Sequence, residues 1–598
     1  MKEDENRLAV GEAVPNEFGG SEDNDTLVDR RSDRNLTTNT APPLTPFRPT
    51  SAETIAKLTV RSYLTTIVDD PTIGLDAIRD SLLGRMNGAF ALENLGRKAA
   101  ESPSPPIHKI HALDELTVAN VLLARHRIVA VDLSEGVADD MTMLAMYVDF
   151  GDDNGLFSTS ESRIKALASD LKPSMTAGQL DSLFARLKIH APVVQRTMES
   201  HLIPVANGVF DHTRQTLRSF SPDWVFLSKI QVEFDARATS PVIKMPDSEE
   251  WEVESWMKDL SDDEGIPELL WEVASAAIRS NAPWDKAFWL TAERGNNGKG
   301  TFVQMLRNLL GAKSCSAVKF ADFGHEFKME PLVTARVNLV DENGVGAFTE
   351  RIEDWKAAIT GDVFMINRKH KTPVAVRFRG VDIQCFNSRT PKTKDKTESF
   401  YRRLLIVPFS KWFGGNERKY IKSDYLGRPE VLRYVLKRSL EMQHTEVSNP
   451  KVCQDALDDY RGTNNLLLSF WTEFEPQLKW DLVPFRFLHD LYREWARKTN
   501  PSGQPESLNA LTSFLRERLA TSREWEHKGQ VAVRPGRKMG GPEPLIAEYN
   551  LSDWMNGSYT GSDPSKRSTV GPLKPNYKGL LRLPPANYGG ATALEDVS

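Results

Sequence analysis

The sequence predicts an α/β fold, and three observations carry that prediction. A short, fully apolar run, KAFWLTA at 286–292, has the character of a buried parallel strand. It leads straight into a glycine-rich loop, and the FVQMLRNLLG that follows reads as a helix ending at Gly311. Five further strand-like runs then alternate with helical segments: ARVNLVDE (335–342), FMINR (364–368), VAVRF (374–378), VDIQCFN (381–387) and LLIVPF (404–409). Strands interleaved with helices imply an α/β domain over 251–450.

The 598 residues, 40% hydrophobic and 26% charged, describe an ordinary globular chain and exclude a collagen-like, coiled-coil or wholly disordered one. At roughly 150 residues per domain the length suggests about four domains. No run of 18 apolar residues occurs, so no membrane span and no membrane partner are expected. The N-terminus is acidic and lacks an apolar core segment, so it is not expected to be a secretory signal. Cys315, Cys385 and Cys453 form no CxxC pair or disulfide framework. Reduced, buried thiols in a cytoplasmic protein are expected.

Along the chain, residues 1–50 read as a disordered tail closing in a Pro-rich linker, and 51–106 as a small helical region. Residues 107–250 read as an α+β domain, with Asn207-Gly208 between apolar runs signalling a hairpin. Residues 465–556 hold two helices, FLHDLYREWARK and LNALTSFLRERLA, and a basic stretch at 526–541 that reads as a hairpin. Two helices and a hairpin suggest a small winged-helix-like module. The Gly-, Pro- and Ser-rich 557–598 is expected to be a flexible tail.

The glycine-rich loop runs Glu293-Arg294-Gly295-Asn296-Asn297-Gly298-Lys299-Gly300-Thr301. Phosphate binding needs glycines that let backbone N–H groups approach oxygen, a lysine for the β- and γ-phosphates, and a hydroxyl for Mg²⁺. The following helix adds its positive end. Gly295 through Thr301 are therefore the candidate nucleotide contacts. Glu293 stands where the common pattern has its first glycine, and Gly300 where it has Ser or Thr. Thr301, one place late, is left as the candidate metal hydroxyl.

VNLVDEN (337–343) ends an apolar strand in Asp341-Glu342, 42 residues after Lys299. Carboxylates there can hold hydrated Mg²⁺ and polarise water, which assigns Asp341 to the metal and Glu342 to the water. Asn387 ends a third strand and can reach a γ-phosphate or orient the water. Arg402-Arg403 offers guanidinium groups for transition-state charge.

This order (glycine loop, acidic strand end, strand-end Asn, Arg pair) resembles the superfamily 3 helicases of phages, plasmids and large DNA viruses. LIPVANGVFD…LRSFSPDW resembles the domain preceding the ATPase in poxvirus-type and phage primase-helicases. The resemblance implies a P-loop AAA+-like core using ATP and Mg²⁺, with Lys299, Glu342, Asn387, Arg402 and Arg403 as catalytic residues. It implies a ring, a homo-hexamer, with Arg402 or Arg403 acting on a neighbouring subunit's nucleotide. ITGDVFMINRKHK (359–371) looks like the family's DNA-contacting hairpin, so Arg368, Lys369, His370 and Lys371 are expected to grip single-stranded or forked DNA. Primase catalysis is not expected in this chain, so a separate primase or polymerase is an expected partner. By this reading the protein is a replicative helicase of a mobile element. The alternatives are a DNA-binding initiator or scaffold with a regulatory ATP site, and a nucleic-acid-independent P-loop enzyme. The absence of an NKxD motif weighs against a GTPase.

The net charge of −6 conceals a segregation. Residues 361–438 carry 19 Lys and Arg against 7 Asp and Glu, where the expected hairpin and Arg pair lie.

Overall fold

The computed structural model describes residues 47–67, 70, 72–136, 141–344, 348–349, 351–387, 390–415, 417–499 and 504–584. All but the last four residues of the expected N-terminal tail fall outside these. Helices Ala52–Ile67 and Leu75–Ala99 do not stand apart. Val60, Tyr63, Leu82 and Phe90 share one buried core with Val118 and Leu122 of helix Glu115–Arg125 and with Leu183 and Leu187 of helix Ala177–His190. Beside this core lies a four-stranded sheet in the order Leu156–Ser158, Met143–Val148, Ile128–Asp132, Val193–Gln195. Alternation along one strand joins two cores. Ile128 turns into the helical core, while Val129 and Val131 turn toward the cluster that contains Trp289.

The expected hairpin forms between Leu202–Val205 and Gly208–Asp211, but its two-residue loop is Ala206-Asn207. Gly208 begins the return strand at φ +155°, where a Cβ would lie 2.4 Å from the Arg218 carbonyl oxygen.

The central sheet has five parallel strands in the order Cys315–Ser316, Val337–Val340, Val381–Asn387, Ala287–Ala292, Leu404–Pro408. The strand before the glycine loop lies between Val381–Asn387 and Leu404–Pro408, so Val381–Asn387 is inserted between it and Val337–Val340. Both faces are covered, which is why these strands read as continuous apolar runs. Phe288 and Leu290 pack with helices Gly265–Ile278 and Lys299–Leu310. Ala287 and Trp289 pack on the other face with Trp355, Phe400 and Tyr460. Trp289 is fully buried, with the Phe386, Phe320 and Tyr460 rings 4.6, 5.2 and 5.3 Å from its own. Truncating such an aromatic costs about 3–5 kcal/mol.

The C-terminal region corrects the expected hairpin. Trp525–Val533 is one strand, but 536–539 is a 3-10 turn and not a return strand. The partner is Tyr577–Arg582, which also pairs with Leu482–Pro484 to give an antiparallel sheet in the order 482–484, 577–582, 525–533. Tyr577–Arg582 belongs to a stretch that composition marks as flexible tail, yet Leu580 is fully buried among Trp525, Leu488 and Trp554. The strand GLL is short and apolar enough to close the core, and local composition around it hides that.

Among the described residues no helix is long and apolar enough to cross a membrane. Cys385 and Cys453 are buried free thiols, while Cys315 is half-buried.

Candidate nucleotide-binding site

The glycine loop leaves the carboxyl end of strand Ala287–Ala292 and enters helix Lys299–Leu310. Its backbone turns through two left-handed residues, Asn296 at φ +57° and Gly298 at φ +83°. Asn tolerates that region better than most residues. At Gly298 a Cβ would lie 2.4 Å from Leu260 Cδ2, so glycine is required twice over. Asn297 shapes the loop from inside: its side-chain amide donates to the Arg294 carbonyl, and its Oδ1 accepts from the Lys299 N–H at 3.1 Å. Gly295 is open to its surroundings, with nothing near an added Cβ.

Lys299 is 4% exposed. Its ammonium donates to the Phe386 carbonyl at 3.1 Å and to the Asn387 side-chain oxygen. Burial pushes its pKa down from the usual lysine range, while the charges of Cys385, Asp341 and Glu342 oppose that shift. Among the described residues it has no carboxylate partner within ion-pair distance.

Asp341 and Glu342 follow strand Val337–Val340 directly and are exposed. A Cβ at Gly300 would lie 3.4 Å from Asp341 Oδ1. Gly300 therefore faces Asp341 across the loop; the Thr301 backbone N–H returns to the Gly298 carbonyl at 3.0 Å. Asn343, which sequence reasoning missed, fixes this strand end. Its amide donates to Gln384 Oε1 and the Cys385 carbonyl at 3.0 Å each, and its Oδ1 accepts from the Phe320 N–H at 3.2 Å.

A strap after the fifth strand wraps the loop, and it too was not legible in the sequence. The Phe413 N–H donates to the Asn296 carbonyl at 2.7 Å, and the Asn296 side-chain amide donates to Glu417. Asn308 of the loop helix holds the Leu426 carbonyl at 2.9 Å. A cleft of about 1170 Å³ opens beside the loop along Thr291, Arg294, Lys411 and the 60%-exposed Trp412.

Arg402 and Arg403 lie at the amino ends of the strands, since Ala287 registers with Leu404. The glycine loop is at the opposite, carboxyl edge, roughly 20 Å away at 3.3 Å per residue. Neither arginine shares an edge with its own loop. The two also differ from each other. Arg402 is exposed, whereas Arg403 is buried and donates to the Ser399 hydroxyl at 2.9 Å and to the Ser399 carbonyl.

The basic cluster is a hairpin tip. Val363–Arg368 pairs with Lys371–Arg377, and Arg368 faces Lys371 across the turn Lys369-His370, with His370 at φ +59°. Lys369 and His370 are exposed. The flanking pair touches the preceding domain: Lys371 is 3.1 Å from Glu161, and an Arg368 N–H lies 2.9 Å from Met143 Sδ.

Comparison with known families places three matches along this chain. Residues 110–261 match a family described as D5 N terminal like, 290–403 match a family of unknown function (DUF5906), and 462–535 match a family described as Poxvirus D5 protein-like. No curated protein matches the chain. Among solved structures, the chain is similar to the A-form apo structure of the NrS-1 C-terminal region, at 12% identity and a TM-score of 0.39, over 76% of this chain and 94% of that one. It is also similar to another apo structure of the same region, at 13% identity and a TM-score of 0.39, over 79% and 99% of the two chains.

Proposed function

We propose that the chain is an ATP-dependent replicative DNA helicase of the D5 primase-helicase type, a reading that the D5-like matches on either side of its central sheet support. The observation that carries this reading is the meeting of Lys299 with Asn387 beside Asp341 and Glu342. Three strand ends of one parallel sheet converge there on a glycine loop. The insertion of Val381–Asn387 between the loop strand and the acidic strand supports an AAA+-like core.

The residues present fit a nucleoside triphosphate with Mg²⁺. A buried ammonium with no carboxylate partner among the described residues suits a phosphate, and the open Gly295 lets an oxygen approach the backbone. Among the described residues no cluster of three or more His, Cys, Asp or Glu could hold a metal by itself. That suits Mg²⁺, which binds through one or two carboxylates together with phosphates and water. ATP supplies the phosphoanhydride whose hydrolysis drives the motor, and Mg²⁺ neutralises its oxygens.

Lys299 directs its charge at the β/γ position, and Asn387 sets where that ammonium points. Asp341 is assigned to the metal. Glu342 orients a water and accepts its proton. Arg402 is the better trans-acting guanidinium of the pair, because Arg403 is committed to Ser399. The exposed Lys369-His370 tip is assigned to the phosphate backbone of DNA. Strand Leu482–Pro484, two helices and the pair 525–533 with 577–582 support a winged-helix-like module with an enlarged wing.

The test is ATP hydrolysis with and without single-stranded DNA, together with strand displacement on forked DNA. DNA-stimulated hydrolysis and unwinding that Lys299→Ala abolishes are expected. Oligomer assembly and DNA binding without unwinding would favour the initiator reading.

A further inference from the structure

The loop departs from the usual pattern at Gly300, and the fold brings a second cation to the space a side chain there would take. Helix Lys419–Ser423 packs against helix Lys299–Leu310. A Cβ at Gly300 would lie 3.5 Å from Lys422 Nζ and 3.4 Å from Asp341 Oδ1. Both groups therefore stand on the same side of the loop lysine's neighbour, within about 7 Å of each other by the triangle those two distances set. A Ser or Thr hydroxyl at 300 would project into that space and compete with the ammonium.

The segment bearing Lys422 is held from several sides. Arg418 is paired with Glu249 at 2.5 Å and Asp247 at 3.2 Å. Ile421 packs on the motor core, and the Tyr420 and Tyr425 rings stand 5.2 Å apart. Arg428 is bidentate to Asp424. Lys422 differs from these neighbours: among the described residues no carboxylate lies within ion-pair distance of its ammonium, although the segment around it is fixed. The chain thus presents two ammonium groups to one loop. Lys299 is buried and comes from within the loop, and Lys422 is exposed and comes from 123 positions later in the sequence.

We propose that Lys422 is a cis phosphate-contacting residue of the nucleotide site, admitted by the missing side chain at Gly300 and specific for the triphosphate over the diphosphate. The proposal rests on reading the loop as a nucleotide site. The position is on the Asp341 side, where the terminal phosphate and its metal are expected, so the added charge is felt most by the ligand with the extra phosphate. An exposed ammonium adds less than a buried one, and an effect of about tenfold on affinity is the scale of one charge-assisted contact.

The experiment is equilibrium binding of a fluorescent non-hydrolysable ATP analogue and of fluorescent ADP to the full chain, with Mg²⁺ and with EDTA. Lys422→Ala is expected to weaken the triphosphate about tenfold and ADP less than about twofold, and Lys422→Arg to recover most of the loss. Lys299→Ala is expected to weaken both ligands. Circular dichroism of Lys422→Ala should match that of the parent, since the side chain is exposed. Unchanged triphosphate affinity in Lys422→Ala overturns the proposal, as does equal weakening of both nucleotides. Failure of the parent chain to bind either nucleotide overturns the underlying reading of the site, a result distinct from both.

Discussion

The Lys299 ammonium donates to the Asn387 side-chain oxygen, across two parallel strands in which Ala292 and Asn387 are in register. A loop lysine and a strand-end amide 88 positions apart in sequence thereby form one polar unit at the carboxyl edge of the sheet. Removing Asn387 leaves the ammonium, among the described residues, the Phe386 carbonyl. Lys299→Ala is expected to lower ATP turnover at least about 100-fold, and Asn387→Ala about 10- to 100-fold. The double variant should be no worse than Lys299→Ala alone, because the two act as a unit. Steady-state hydrolysis of the three variants checks this; additive losses would refute it.

Arg402 is exposed at the sheet edge opposite its own glycine loop, and Arg403 is folded onto Ser399. Arg402→Ala is therefore expected to abolish hydrolysis while leaving nucleotide affinity in place. Mixing inactive Arg402→Ala with inactive Lys299→Ala should restore part of the activity, because an interface between them can combine one intact loop with one intact arginine. No recovery in mixed assemblies would place Arg402 outside catalysis. Arg403→Ala should instead lower the melting temperature.

The Lys369-His370 turn is the exposed end of its hairpin. Lys369→Ala is expected to weaken binding to single strands of any sequence alike. It should also reduce the slope of log affinity against log salt by about 0.7, the value for one phosphate contact. Fluorescence anisotropy at several salt concentrations measures both. An unchanged slope would show that the tip does not touch the strand.

Asp382 is wholly buried in the central sheet. Its carboxylate accepts from Asn338 and Gln384 at 2.8 Å each and from the Trp355 indole at 2.9 Å. Burial pushes its pKa up to about 6, against those hydrogen bonds. The folded state thus holds this proton more tightly than the unfolded chain. Its contribution to stability is most favourable near pH 4 and is lost as pH rises through about 6. The stability of the parent relative to Asp382→Asn should fall by roughly 2 kcal/mol between pH 4 and 7, then level off. Denaturant titrations of both proteins across that range test it; a difference that grows with pH would reverse the sign and the argument.

Strand Tyr577–Arg582 closes the C-terminal sheet, so ending the chain at residue 556 is expected to expose Trp525 and Leu488 and to lower the stability of that module. Ending it at residue 584 keeps the strand and every described contact in place. Limited proteolysis of the two truncated chains distinguishes them.

Much of the central sheet was legible because parallel strands buried on both faces announce themselves as unbroken apolar runs, as in FWL of 288–290 and VNLV of 337–340. The glycine loop, the acidic strand end and the strand-end Asn were legible for a related reason. Each sits where a strand stops, and the sequence marks that point by switching from apolar to polar. The return strand at 577–582 was not legible, since its six residues lie in a Gly- and Pro-rich stretch and their partners are distant in sequence.

The sequence by itself determined the fold class, the loop chemistry and the identity of the residues at each strand end, because these are written in local pattern. Only the tertiary structure decided which of them meet. It brought Asn387 to Lys299, set Gly300 opposite Asp341, separated Arg402 from Arg403 by burial, and carried Lys422 to the loop. The physical reason is that strand order and crossover connections set those distances. Sheet order places Val381–Asn387 beside Ala287–Ala292, a neighbour relation that no spacing along the chain encodes.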